Sequence, residues 1–97
     1  KMEDRKIYID KMAAKLKEWD AEIQKLEAKA NALQTDAKAE YNQKVADLRS
    51  KKEEAQQKLN EIQEAGEDAR EELKSGFEKS WETLTDSVEN AIEKLNQ

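Results

Sequence analysis

The 97-residue sequence contains no cysteine, no histidine, no proline and only two glycines. Without cysteine there is no disulfide framework and no thiolate metal site. Without histidine the chain lacks the usual proton-transfer group at neutral pH and the Glu-x-x-His motif of carboxylate metal sites in helical bundles. Two isolated glycines do not make a phosphate-binding loop. These absences predict a protein that is not an enzyme and that has no metal ion or other cofactor.

Long apolar runs are also missing. No run approaches the about 18 residues that suggest a membrane span, and no hydrophobic signal segment opens the chain. The sequence therefore predicts a soluble chain with no transmembrane segment, and it leaves the cellular compartment open.

Charge is abundant but unevenly distributed. Residues 1–66 carry 14 basic and 14 acidic side chains, whereas residues 67–97 carry 4 basic and 9 acidic ones. Residues 1–17 have 6 basic side chains against 3 acidic ones. This dipole favours antiparallel or staggered association and disfavours nucleic acid, which requires a basic stripe. The acidic last third also disfavours binding to an anionic membrane surface, because such membranes attract basic helices.

The clearest positive feature is an apolar stripe with helical spacing. Apolar residues recur at alternating intervals of three and four from Ile9 to Ala37, as in a coiled coil. The spacing changes to an eleven-residue unit between Ala37 and Leu48, resumes as heptads, and becomes eleven-fold again from Leu73. We call the large members of this stripe the seam and predict that they are the interaction surface: Ile9, Met12, Leu16, Trp19, Ile23, Leu26, Leu33, Tyr41, Val45, Leu48, Leu59, Ile62, Leu73, Phe77, Trp81, Leu84, Val88, Ile92 and Leu95.

The pattern predicts an all-α chain that forms one unit over residues 1–97. The favoured arrangement is a coiled coil with one long helix over about 3–65, a hinge at Gly66 acting as a left-handed C-cap, and a second helix over about 67–96. The alternative is a spectrin-like three-helix bundle, with a further turn near Thr35 and with Thr35 or Asp36 as N-cap. An uninterrupted helix is the third option.

These arrangements lead to different functions. In the favoured one, residues 9–37 have no partner within the chain, so we expect a homo-oligomer formed by helix packing, and a structural or interaction role with another protein as a further partner. A second hypothesis is a peripheral lipid-surface module that uses residues 73–95. A third is a chaperone-like helical cradle that binds unfolded clients.

The sequence also resembles a family of small bacterial coiled-coil proteins. The resemblance is carried by residues 11–30, most specifically by Lys-Glu-Trp-Asp-Ala-Glu-Ile at 17–23, and it continues at intervals as far as Trp81. It implies a coiled-coil fold and a stress-protective role, and it supplies no catalytic residues. One departure is Arg70, where the resemblance leads us to expect an aromatic side chain after the glycine hinge.

Overall fold

Three helices make up the part of the chain that the structure describes. The computed structural model describes residues 2–34 and 36–95, with side chains described for residues 5–34 and 36–94. Helix α1 spans Met2–Ala32, α2 spans Asp36–Glu64 and α3 spans Glu67–Leu95. They run up, down and up in a rod with principal dimensions of 52 × 18 × 18 Å. The all-α prediction is confirmed, and the arrangement is the three-helix bundle that the sequence analysis gave as its alternative.

The predicted long helix over about 3–65 is wrong, because the chain turns back between Ala32 and Asp36. Ending α1 there gives up a few backbone hydrogen bonds, each worth about 0.5–1.5 kcal/mol. Folding back buries four large side chains of α1 against the other helices, and each contributes about 1.5–3 kcal/mol: Met12, Leu16, Ile23 and Leu26. The gain exceeds the cost. The N-cap predicted for Thr35 lies outside the described residues, and Asp36 instead opens the first turn of α2.

The hinge predicted at Gly66 is confirmed, but the left-handed cap is wrong. The backbone of Gly66 does not adopt a positive φ, and its carbonyl accepts a hydrogen bond from the Ala69 amide at 3.3 Å, which starts α3. At the end of α2, the guanidinium Nη1 of Arg5 donates a hydrogen bond to the Ala65 carbonyl at 3.0 Å. A side chain from α1 thus satisfies a carbonyl group that the end of α2 leaves free.

The seam forms the interior of the bundle. Eleven of its residues are buried: Met12, Leu16, Ile23, Leu26, Val45, Leu48, Leu59, Ile62, Phe77, Leu84 and Val88. Six more are partly buried against this core: Ile9, Trp19, Tyr41, Leu73, Trp81 and Ile92. Leu33 is half-buried in the first turn, and the side chain of Leu95 lies outside the described residues. Because the chain covers its own stripe, burial of residues 9–37 no longer requires a second chain.

Two ion pairs join α1 and α2. The Lys52 ammonium lies 3.0 Å from an Asp20 carboxylate oxygen, and Arg49 lies 3.0 Å from Glu27. The hydrogen bond from Lys52 holds the pKa of the Asp20 carboxyl below its usual value. Lys52 lies at a heptad position of the apolar stripe, between Leu48 and Ala55, and its ammonium reaches the edge of the core to meet Asp20. Both pairs are partly exposed, so they add little to the stability that the buried side chains of α1 supply.

Candidate functional site

The backbones of α1 and α3 approach each other at fewer places than those of the other two helix pairs. Aromatic side chains fill part of the space between these two helices. The rings of Tyr8 and Phe77 meet edge to face with centroids 6.2 Å apart, and those of Trp19 and Trp81 lie 6.3 Å apart. The Tyr8 hydroxyl donates to the Glu78 carboxylate at 3.4 Å. Burial, the charge of Glu78 and this hydrogen bond raise the pKa of Tyr8 to about 12.

Beyond this aromatic contact the two helices leave a groove, which we call the α1–α3 groove. Its volume is about 740 Å³, and it is lined by Glu18, Trp19, Ala21, Glu22, Glu89, Ile92 and Glu93. Trp19 and Ile92 are both half-buried, because one side of each packs on the core while the other faces the groove. The groove therefore offers an apolar floor between two parallel helices.

The rim of the groove is acidic. Two glutamates come from α1 and two from α3, and in each helix they stand four residues apart: Glu18, Glu22, Glu89 and Glu93. Like charges at this spacing destabilise a helix by about 0.2–0.5 kcal/mol per pair. Lys25 offsets part of this charge from outside the groove, with its ammonium 3.6 Å from Glu22. Among the side chains described, at residues 5–34 and 36–94, no basic one lines the groove itself, so its negative charge is available to a cationic partner.

A second surface lies along the outside of α1. Ile7, Ala14 and Ala21 recur every seven residues, with Lys11 and Glu18 between them, and all five are exposed. We call these five residues the outer row. Ile7 is a large hydrophobic side chain that is nevertheless 65% exposed. The outer row runs along the α1 edge of the α1–α3 groove, because Glu18 and Ala21 belong to both.

The structure separates the predicted seam from this site. The seam lies inside the bundle, and of its members with described side chains only Trp19 and Ile92 reach the groove. The apolar face of residues 73–95, predicted as a lipid-contacting surface, points inward, with Phe77, Leu84 and Val88 fully buried. Sequence reasoning missed the acidic rim and the outer row. The signal for the latter was present as a second seven-residue period in α1, offset from the seam.

Two other kinds of site are absent from the part of the chain that the structure describes. Within residues 2–34 and 36–95, no group of three or more acidic side chains is placed to hold a metal ion. Across the same residues, no helix combines the length and apolar character needed to cross a membrane. Comparison with models of protein families, with curated proteins and with solved structures finds no match to this chain.

Proposed function

We propose that the chain is an interaction protein that binds a basic, amphipathic helical segment in its α1–α3 groove. The observation that carries the proposal is the apolar floor of Trp19 and Ile92 between four glutamates. A helix laid into a groove between two others contributes an apolar face to the floor. Its flanking lysines or arginines then meet carboxylates on both sides.

The side chains of the groove suit this kind of recognition. Tryptophan is among the residues that most often dominate binding energy at interfaces, and Trp19 is held in place by Trp81 behind it. The glutamates at the rim are exposed or half-exposed, so they contribute more to the rate and specificity of association than to affinity. We therefore expect binding that weakens as salt concentration rises.

The other functional hypotheses have less support. A lipid-surface role for residues 73–95 requires α3 to leave the bundle and expose Phe77, Leu84 and Val88, which are its most deeply buried side chains. A cradle for unfolded clients requires an apolar surface larger than this one groove. The resemblance to small bacterial coiled-coil proteins is the basis for adding a stress-protective role to the proposal.

A peptide titration tests the groove directly. The probe is a synthetic 18-residue helical peptide with an isoleucine stripe flanked by lysines, and its counterpart has glutamates in place of the lysines. Amide and indole NMR spectra should show the Trp19 indole shifting with the basic peptide and not with the acidic one. Replacing Glu18 and Glu93 by lysine should weaken binding at least tenfold.

The control is Glu61→Lys, a charge reversal at an exposed position of α2 outside the groove. It should leave binding of the basic peptide within twofold. Equal binding of both peptides, or a shift map centred away from Trp19 and Ile92, would contradict the proposal.

A further inference from the structure

We infer that the segment bound in the α1–α3 groove is α1 of a second copy of this chain, running antiparallel and crossing its counterpart at Ala14. The inference rests on the proposed function, since it names the partner of the same groove. It predicts a two-fold symmetric dimer in which Ile7 of each copy reaches the groove of the other. This surface shares Trp19 and Ile92 with the seam, whereas the buried side chains of the seam lie inside each copy.

Ile7 is an exposed apolar side chain on a basic stretch of α1. Single exposed hydrophobic side chains are common on protein surfaces, but Ile7 has basic neighbours on its own helix, Lys6 and Lys11, both exposed. The first half of α1 is therefore itself a basic helix that presents an apolar side chain. That is the chemistry that the acidic, apolar groove selects.

The spacing of the outer row is symmetric about Ala14. Ile7 lies seven residues before Ala14, and Ala21 lies seven residues after it. When two copies of α1 cross antiparallel at Ala14, Ile7 of one copy faces Ala21 of the other. Ala21 lines the groove beside Trp19. The same contact occurs twice, because the two-fold axis exchanges the copies.

The charges along α1 also favour an antiparallel crossing over a parallel one. Lys11 lies three residues before Ala14, and Glu18 lies four residues after it. The antiparallel crossing therefore brings Lys11 of one copy beside the Glu18 of the other, because both residues lie on the same flank of α1. Opposite charges meet at both copies of this contact, whereas a parallel pair would set Lys11 against Lys11 and Glu18 against Glu18.

The residue at the crossing, Ala14, has a small side chain. Ala14 is exposed, and its methyl group is small enough for the two helices to approach to about 8 Å, the lower end of helix-packing distances. A larger side chain at this position would hold the helices apart and lift Ile7 out of the groove. The outer row thus combines a small centre, one apolar anchor and complementary charges.

Sedimentation equilibrium over about 1 µM to 1 mM protein measures the association. The unmodified chain should show a monomer–dimer equilibrium. Ile7→Asp should weaken dimerisation at least tenfold, and circular dichroism should show unchanged helix content because Ile7 contributes nothing to the core. Lys29→Glu, at an exposed position of α1 outside the outer row, is the control and should leave dimerisation unchanged.

Charge reversal tests the antiparallel pairing. Lys11→Glu and Glu18→Lys should each abolish dimerisation when studied alone, because each sets like charges opposite one another twice. An equimolar mixture of the two variants should dimerise again, since both contacts in the mixed dimer join opposite charges. Failure of the mixture to recover, with both single variants folded, would overturn the inferred arrangement.

The outcomes also separate this inference from the proposed function. A chain that stays monomeric to 1 mM but binds the basic peptide in its groove would overturn the second-copy assignment and retain the proposed function. A chain that neither dimerises nor binds the peptide would overturn both. A dimer that Ile7→Asp leaves intact would place self-association on another surface and overturn the inference alone.

Discussion

At the scale of single residues, Tyr8 reports most sensitively on the contact between α1 and α3. Its ring meets Phe77 edge to face, the Lys74 ammonium lies 4.8 Å from the ring centroid, and its hydroxyl donates to Glu78. All three partners come from α3. An ionised phenolate at this position would be partly desolvated and would face a carboxylate, so the folded chain favours the neutral phenol.

This environment predicts a late titration of Tyr8. In Tyr41→Phe, where Tyr8 is the one remaining tyrosine, tyrosinate absorbance should rise with a midpoint near pH 12, whereas the chain unfolded in urea should titrate near the ordinary tyrosine pKa of 10.0. Since the folded pKa is the higher one, the unfolded chain loses this proton first. The contribution of Tyr8 to stability is therefore complete below pH 10 and declines as pH rises from 10 to 12.

A matched variant identifies the cause. Glu78→Gln removes both the charge and the carboxylate acceptor, so the midpoint should move down toward 10 without returning fully, because burial is the largest cause of the shift. A midpoint near 10 in the folded Tyr41→Phe chain would mean that α1 and α3 do not pack as described at this end.

Individual roles were only partly predictable from the sequence. Seam spacing identified the buried side chains because burial follows helical periodicity. Lys52 is a charged residue at a heptad position of the stripe, and the structure shows why it is tolerated there: its ammonium leaves the core to meet Asp20. Arg70 fits less well. Its Nε is buried and has no hydrogen-bond partner among the side chains that the structure describes, at the position where the resemblance predicts an aromatic ring.

At the scale of helices, the two turns differ in how far local sequence determines them. Gly66 marks the second turn in the sequence itself, and α3 begins at the next residue. The first turn follows Ala32 in a stretch without glycine or proline, through which the seam continues unbroken. Local propensity favours an uninterrupted helix there, and tertiary burial overrides it. A single-sequence pattern cannot weigh that burial, because both arrangements satisfy the same spacing.

Gly76 provides a prediction for α3. It lies inside the helix, and apart from its two chain neighbours and the adjacent backbone of α3, no described atom lies within 4 Å of a methyl group added at its Cα. Because glycine costs about 1 kcal/mol relative to alanine in a helix interior, Gly76→Ala should raise the free energy of unfolding by about that amount. Urea denaturation followed by circular dichroism measures the change.

The reciprocal substitution is the control for Gly76→Ala. Ala39→Gly, at an exposed position of α2, should lower the free energy of unfolding by a similar amount, about 1 kcal/mol. A destabilising effect of Gly76→Ala would show that the space around this position is filled in solution, and that α3 packs differently there.

At the scale of the whole molecule, folding back changes where an interaction surface is found. The seam that suggested association between chains is used within one chain, and the surface left over is the α1–α3 groove with the outer row beside it. The groove was not predictable from periodicity, since it depends on how α1 and α3 pack beyond Trp19, whereas the outer row was present in the sequence as a second seven-residue period in α1. The charge asymmetry between residues 1–17 and 67–97 was readable in the sequence, and it anticipated the basic first half of α1 and the acidic glutamates that α3 contributes to the groove.

Because the chain has no cysteine, two introduced cysteines can carry nitroxide spin labels. Double electron–electron resonance then measures the distance between the labels and tests the fold-back directly. Lys17→Cys and Glu53→Cys introduce two labels at exposed positions of α1 and α2, and dilution with unlabelled chain restricts the signal to one chain. Adjacent helix axes lie about 8–10 Å apart. Positions 17 and 53 flank the Asp20–Lys52 ion pair, so the three-helix bundle predicts label separations of roughly 15–30 Å, allowing for the label arms. A distance near 54 Å, the rise of an uninterrupted helix at about 1.5 Å per residue between these positions, would contradict the bundle and restore the long helix.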